Sequence, residues 1–275
     1  MEKTQLMQSG NRLSALLSAV LGLGASLPAQ WLNYPTPGVP KTPSGLVNLG
    51  APAPRSADGH PDLSGIWEAD HNVPCPPTGC WDMRAGPQFF DITSGLKDGV
   101  PLQPAAAALR QQRMAANGKD DHETKCLPSG VPRMFLHPTF RKIVQLPDLL
   151  LFLLERNASY RQVFLDGRPL PVDPQPTWNG YSVGHWEGDT MVVETNGLRD
   201  GMWLDRAGTP ISDAATVVER FRRVNYGNMD IEVTVKDPKS YTRPWSTTIK
   251  QFIVLNTDLL DYICLENERD RSHFK

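Results

Sequence analysis

The sequence has no run of about twenty apolar residues, so it offers no helix that would cross a bilayer. It has no Lys/Arg cluster either. Its 28 basic and 30 acidic residues leave a net charge of -2, and a nucleic-acid partner would want a basic face. The zinc-protease pattern H-E-x-x-H, an EF-hand loop, a P-loop and dinucleotide-binding glycines are all missing, so no motif asks for a metal or other cofactor. No segment recurs at a fixed period, which argues against a propeller. Among the 275 residues, 40% are hydrophobic, enough for a sizeable core and one large β domain or two small ones.

Residues 1–29 read as a signal peptide. Lys3 and Arg12 lie before or at the start of the apolar stretch Leu13–Leu23, and small residues place cleavage after Ser26 or Ala29. A buried N-terminal helix is the alternative. No twin arginine precedes the stretch and no Cys closely follows it, so a soluble periplasmic or secreted product is expected. Export makes disulfides the natural use of the four cysteines. Three pairings are open. Cys75 and Cys80 share one short loop, where a local staple would leave Cys126 to join Cys264. A metal site from His71, Cys75 and Cys80 is the competing use of that loop, and it lacks an evident fourth ligand.

Residues 30–60 are dense in Pro and Gly without periodicity and read as an arm or linker. Residues 61–275 are expected to form a β domain. Ser64–Ala69 is the expected first strand, followed by an irregular insert over 70–103. Pro104–Asn117 is the one expected helix, alanine-rich, with Pro in its first turn and Gly118 as its stop. Hairpins follow: Lys142–Gln145 with a fully buried Leu149–Glu155, then Tyr160–Leu165, and Ser182–Trp186 with Thr190–Thr195. Thr216–Val224 pairs with Met229–Lys236, where Ile231, Val233 and Val235 share one face. Thr247–Val254 and Leu259–Cys264 complete the series. About nine or ten strands joined by tight turns imply an antiparallel meander, and closing it into a barrel hides both edges. A half-barrel or a sandwich is the competitor.

PDLSGIW (61–67), CLPSGVPRM (126–134), FLDGRPLPVDPQPTWNGYSVGHWEGDTMVVETNG (164–197), WLDRAG (203–208), VVERFRR (217–223), DIEVTVKDPKSYTRPW (230–245) and LLDYICLENERD (259–270) resemble a large family of secreted bacterial proteins. That family is common in acidobacterial and related environmental genomes. The resemblance spans nearly the whole mature domain and implies export, with no assigned activity. Members often carry His where Ile211 stands, within PHSEA; PISDA here counts against any mechanism that needs an imidazole at that position. Gly65-Ile66-Trp67 also resembles the G-x-W on the first strand of lipocalin-like barrels, and so implies barrel closure.

Gly180-Tyr181-Ser182-Val183-Gly184 matches G-x-S-x-G, but a hairpin turn follows where a nucleophile elbow needs a helix. Glu187-Gly188-Asp189 reads as a turn chosen for its backbone rather than as a metal loop. The long loop 196–223 gathers Trp203, Asp205, Arg206, Asp213 and Arg220. Asp205, Asp213 and Arg220 are candidate catalytic groups there, provided that they meet. Trp178, Tyr181, Trp203, Arg206, Tyr241 and Arg243 are candidate contacts for a small-molecule ligand; Trp203 as a lid over the core and a surface ion-pair network are the alternative for loop 196–223, and plugging of barrel ends or cover over disulfides is the alternative for the Trp178–Tyr181 and Tyr241–Trp245 segments. Glu155 and Arg161 suit a cross-strand ion pair, with either side chain pointing inward as the alternative. His137 sits in a Pro-rich connection with no partner visible in the sequence. Binding of a small, partly apolar or aromatic molecule is the first functional expectation. Lyase, isomerase or hydrolase chemistry at the barrel mouth is the second, and an envelope interaction protein the third.

Overall fold

The computed structural model describes residues 34–70, 86–264 and 266. The expected signal peptide, His71, Cys75 and Cys80 lie outside the described residues. Among the described residues eleven strands follow one another: β1 (Gly65–Ala69), β2 (Arg141–Gln145), β3 (Leu149–Leu154), β4 (Ser159–Phe164), β5 (Tyr181–Glu187), β6 (Thr190–Asn196), β7 (Met202–Trp203), β8 (Pro210–Ile211), β9 (Thr216–Arg223), β10 (Asn228–Lys236) and β11 (Trp245–Val254). Nine of them close a barrel in the order β1-β11-β10-β9-β6-β5-β4-β3-β2, while β7 and β8 form a small separate ribbon. Barrel neighbours are therefore sequence neighbours, apart from the ribbon inserted between β6 and β9 and the β1–β11 seam.

Period-two patterning sets which face is buried. Met229, Ile231, Val233 and Val235 of β10 are all buried, and their neighbours along the strand are not. β3 follows the same rule. Only Leu150 and Phe152 are buried in its leucine run and the alternate leucines are half-buried, so the expected fully buried strand buries one face only. Pairing is antiparallel around the barrel except between β4 and β5, which touch in parallel at Phe164–Val183 after the long connection 165–180. The expected last strand, Leu259–Cys264, is not a strand. β11 already pairs with β1, so no edge remains for it, and the segment touches the sheet at one bridge, Arg156–Tyr262.

Two helices, α1 (Pro87–Phe90) and α2 (Pro104–Ala115), precede β2, one more than the sequence predicts. The Pro/Gly-rich arm belongs to the same unit as the barrel from Pro35 onward. Arg55 holds Asp189 of the β5–β6 turn through two hydrogen bonds of 2.6 and 2.7 Å. His60 stacks on Trp186 at 4.6 Å. Cys126 and Cys264 form a disulfide with their Cα atoms 5.5 Å apart.

Candidate functional site

The barrel lumen is occupied by its own side chains. Arg161 on β4 hydrogen-bonds both carboxylate oxygens of Glu219 on β9. Its Nη2 also donates to Thr195 Oγ1 at 2.9 Å, and its Nε to Ser182 Oγ at 3.2 Å. Ser182, the central residue of G-x-S-x-G, is thus a buried acceptor inside the barrel. The expected Glu155–Arg161 pair does not form. Arg161 turns inward to Glu219, while Glu155 accepts the backbone N–H of Phe140 at 3.0 Å.

Residues 133–139 plug one end of the barrel. Phe135 points in and packs on Phe152 and Phe221, with centroids 5.4 and 5.6 Å away. Burying a side chain of this size stabilises the fold by roughly 1.5–3 kcal/mol. The carbonyls of this irregular segment need donors, and Arg141 supplies them. Its guanidinium donates to the carbonyls of Phe135, His137 and Thr139 at 2.9, 2.6 and 2.7 Å. Burial pushes the Arg141 guanidinium down to about 9, still charged at neutral pH.

Outside the plug, four more side chains gather around His137. Its Nε2 lies 2.6 Å from Glu123 Oε1. The other Glu123 oxygen is 2.9 Å from Arg133 Nη2 and 3.9 Å from Arg156 Nη2. Arg133 completes a two-bond pair with Asp121 at 2.8 and 2.7 Å. A carboxylate can only accept, so Nε2 carries the proton of a neutral His137 and Nδ1 keeps its lone pair. Nδ1 has no hydrogen-bond partner among the described residues.

The charges of Asp121, Glu123, Arg133 and Arg156 already cancel, so a proton on His137 would add an uncompensated buried charge. Burial accordingly pushes the imidazole below its ordinary value, and Arg156 and Arg133 add to this against the opposing pull of Glu123. Burial raises the Glu123 carboxyl, but the His137 hydrogen bond and the neighbouring cations more than reverse this and hold it well below the carboxylate range.

A cleft of about 140 Å³ opens on this cluster, walled by Phe89, His137, Arg156, Arg206 and Tyr262 among others. Phe89 meets His137 edge-on at 5.2 Å, and the Arg206 guanidinium lies 5.8 Å from the Phe89 ring. Arg156 is the least satisfied member. Its guanidinium makes no hydrogen bond among the described residues, and its Nε is buried without a partner.

No family model matches the chain, and no curated protein matches its sequence.

The candidate catalytic trio does not assemble. Asp205 is buried and accepts from Thr209 Oγ1 at 2.6 Å and the Ile92 N–H at 2.9 Å; burial raises its carboxyl despite those bonds. Asp213 pairs with Lys239 at 2.6 Å on the surface, and Arg220 pairs with Glu187 at 2.9 Å. The six candidate ligand contacts are also dispersed. Trp203 is buried beneath Arg113, whose Cζ is 4.8 Å from the ring. The Tyr241 hydroxyl donates to the Pro210 carbonyl. Trp178 stacks on His122 at 4.9 Å. Tyr181 packs on Phe164 at 5.3 Å, and Arg243 is exposed. Only Arg206 of the six walls the cleft.

The sequence reading missed Phe89, Asp121, Glu123, Arg133 and Arg156. The available signal was the density of charge and His in His122–His137 beside Cys126. Without a helical or strand period, nothing there told which side chains would face each other. Among the described residues no group of three or more His, Cys, Asp or Glu is arranged to hold a metal.

Proposed function

We propose that this chain is an exported β-barrel protein that binds a small, anionic, partly aromatic molecule in the cleft at the plugged end, outside the lumen. The carrying observation is Arg156, whose guanidinium makes no hydrogen bond among the described residues and lies 3.9 Å from its nearest carboxylate, Glu123, on the wall of the 140 Å³ cleft. A carboxylate bound in the cleft would accept charge-assisted hydrogen bonds from the Nη donors of Arg156. Arg206 supplies a second cation, and Phe89 offers a ring face or edge to an aromatic ligand. The Cys126–Cys264 disulfide and the signal-peptide pattern of residues 1–29 support export. The seven sequence segments support membership of the secreted bacterial family.

Calorimetric titration with benzoate, benzamide and cyclohexanecarboxylate tests the binding reading. Benzoate is expected to bind, benzamide not to bind, and Arg156→Gln to weaken benzoate at least tenfold. Equal affinity in Arg156→Gln, or no benzoate binding to the native protein, would refute it.

A further inference from the structure

We propose that His137 is a general base, and that the cleft moves a proton on a small enolisable carbonyl compound bearing a carboxylate. The inference rests on the anion-binding reading above and adds a reaction to it. The geometry joins three features. His137 is 5% exposed, yet its ring lines the cleft. Glu123 accepts a hydrogen bond from Nε2–H, which fixes the tautomer and leaves Nδ1 with a lone pair and no partner among the described residues. The Arg141 bonds to the carbonyls of His137 and Thr139 hold the backbone on which the ring is carried. A base oriented by a carboxylate through its other nitrogen is the arrangement by which imidazoles perform proton transfer. Glu123 and Arg141 are positioning residues in this scheme.

The step balances without a co-reactant. The C–H bond beside the carbonyl breaks, its electron pair enters an enolate, and the proton goes to His137 Nδ1. Arg156 and Arg206 face the negative charge that develops. The imidazolium, whose added charge is offset by the enolate beside it, then returns a proton to carbon and restores the starting protein. Returning it to a different atom gives an isomerisation.

Phenylpyruvate in D2O is the probe, with deuterium uptake at C3 followed by proton NMR. It is small, anionic, aromatic and enolisable. The oxidised full chain is expected to exchange at least about 100-fold faster than free imidazole at equal concentration, in line with the usual contribution of a positioned acid–base group. The rate should rise with pH and level off at a lower pH than a free imidazole would, since burial among Glu123, Arg133, Arg156, Asp121 and Arg206 lowers this base from its ordinary value. His137→Gln keeps an N–H for Glu123 and removes the base. It should lose that enhancement.

Equal exchange in His137→Gln, or no enhancement by a native protein that binds benzoate, overturns the base assignment alone. Failure of the native protein to bind benzoate overturns the binding reading and the inference with it. Should His137→Gln not fold, nitrogen-15 NMR of the native protein decides. An unprotonated Nδ1 at pH 7 agrees with the assignment, and a protonated Nδ1 overturns it.

Discussion

The Arg161 guanidinium and the Glu219 carboxylate meet inside the barrel, with side-chain exposures of 1% and 0%. Together with Ser182 and Thr195 they take the place that a ligand would fill in an open barrel. Removing one partner of such a pair leaves a buried charge uncompensated and costs about 3–5 kcal/mol. Glu219→Leu should therefore lower unfolding free energy by that amount in urea titration, whereas a loss under about 1 kcal/mol would contradict this packing.

The Cys126–Cys264 link spans 138 residues and ties the C-terminal segment beside the cleft. Constraining so long a loop in the unfolded chain is worth up to about 5 kcal/mol. The double variant Cys126→Ser, Cys264→Ser is expected to lose a large part of that. It should also bind benzoate more weakly, since Tyr262 of the cleft wall lies two residues from Cys264. Unchanged stability under reducing conditions would show that the link contributes little.

Acidification should destabilise the protein in two stages. The His137 imidazole is lower in the folded chain than its ordinary 6.5, so the unfolded chain binds more protons as pH falls. That contribution is complete above pH 6.5 and is lost as pH drops through the folded value. Glu123 adds stability above its ordinary 4.5 and loses it at lower pH. Asp205, raised by burial, acts in the opposite sense above its ordinary 3.8. Urea midpoints measured from pH 8 to pH 5 should fall below about 6.5, and His137→Gln should flatten the upper part of that fall. A native midpoint that rises over this range would reverse the assignment.

Gly130 adopts φ 75°, and an added Cβ would lie 2.1 Å from Met202 Cε and 2.6 Å from the Trp178 carbonyl oxygen. The left-handed backbone alone costs a β-carbon residue about 1–2 kcal/mol, and the carbonyl cannot easily move aside. Gly130→Ala should lower the melting temperature by several degrees or more, corresponding to more than about 2 kcal/mol. Gly95→Ala is a useful control: its φ is 101° but its Cβ would meet nothing, so it should be clearly milder.

The barrel was largely legible in the sequence because its contacts are local. Alternation in Met229–Val235 fixes an inward face, the turn Glu187-Gly188-Asp189 fixes a hairpin, and each such pair lies beside the next around the wall. The closing strand was misplaced at Leu259–Cys264 because that run is as apolar as a strand. Only the β1–β11 pairing shows that no edge is left for it.

By itself, then, the sequence determined the successive hairpins and the helix that starts at Pro104, set by short-range period and turn chemistry. Tertiary structure alone decided what fills the lumen and where the cleft lies. Glu219 sits 58 residues from Arg161, and Glu123 reaches His137 from the short 3-10 helical turn His122–Lys125. Phe89, Arg156 and Arg206 arrive from three further segments. Irregular backbone has no period to aim its side chains, so charge and aromatic content alone could not say which of them would meet.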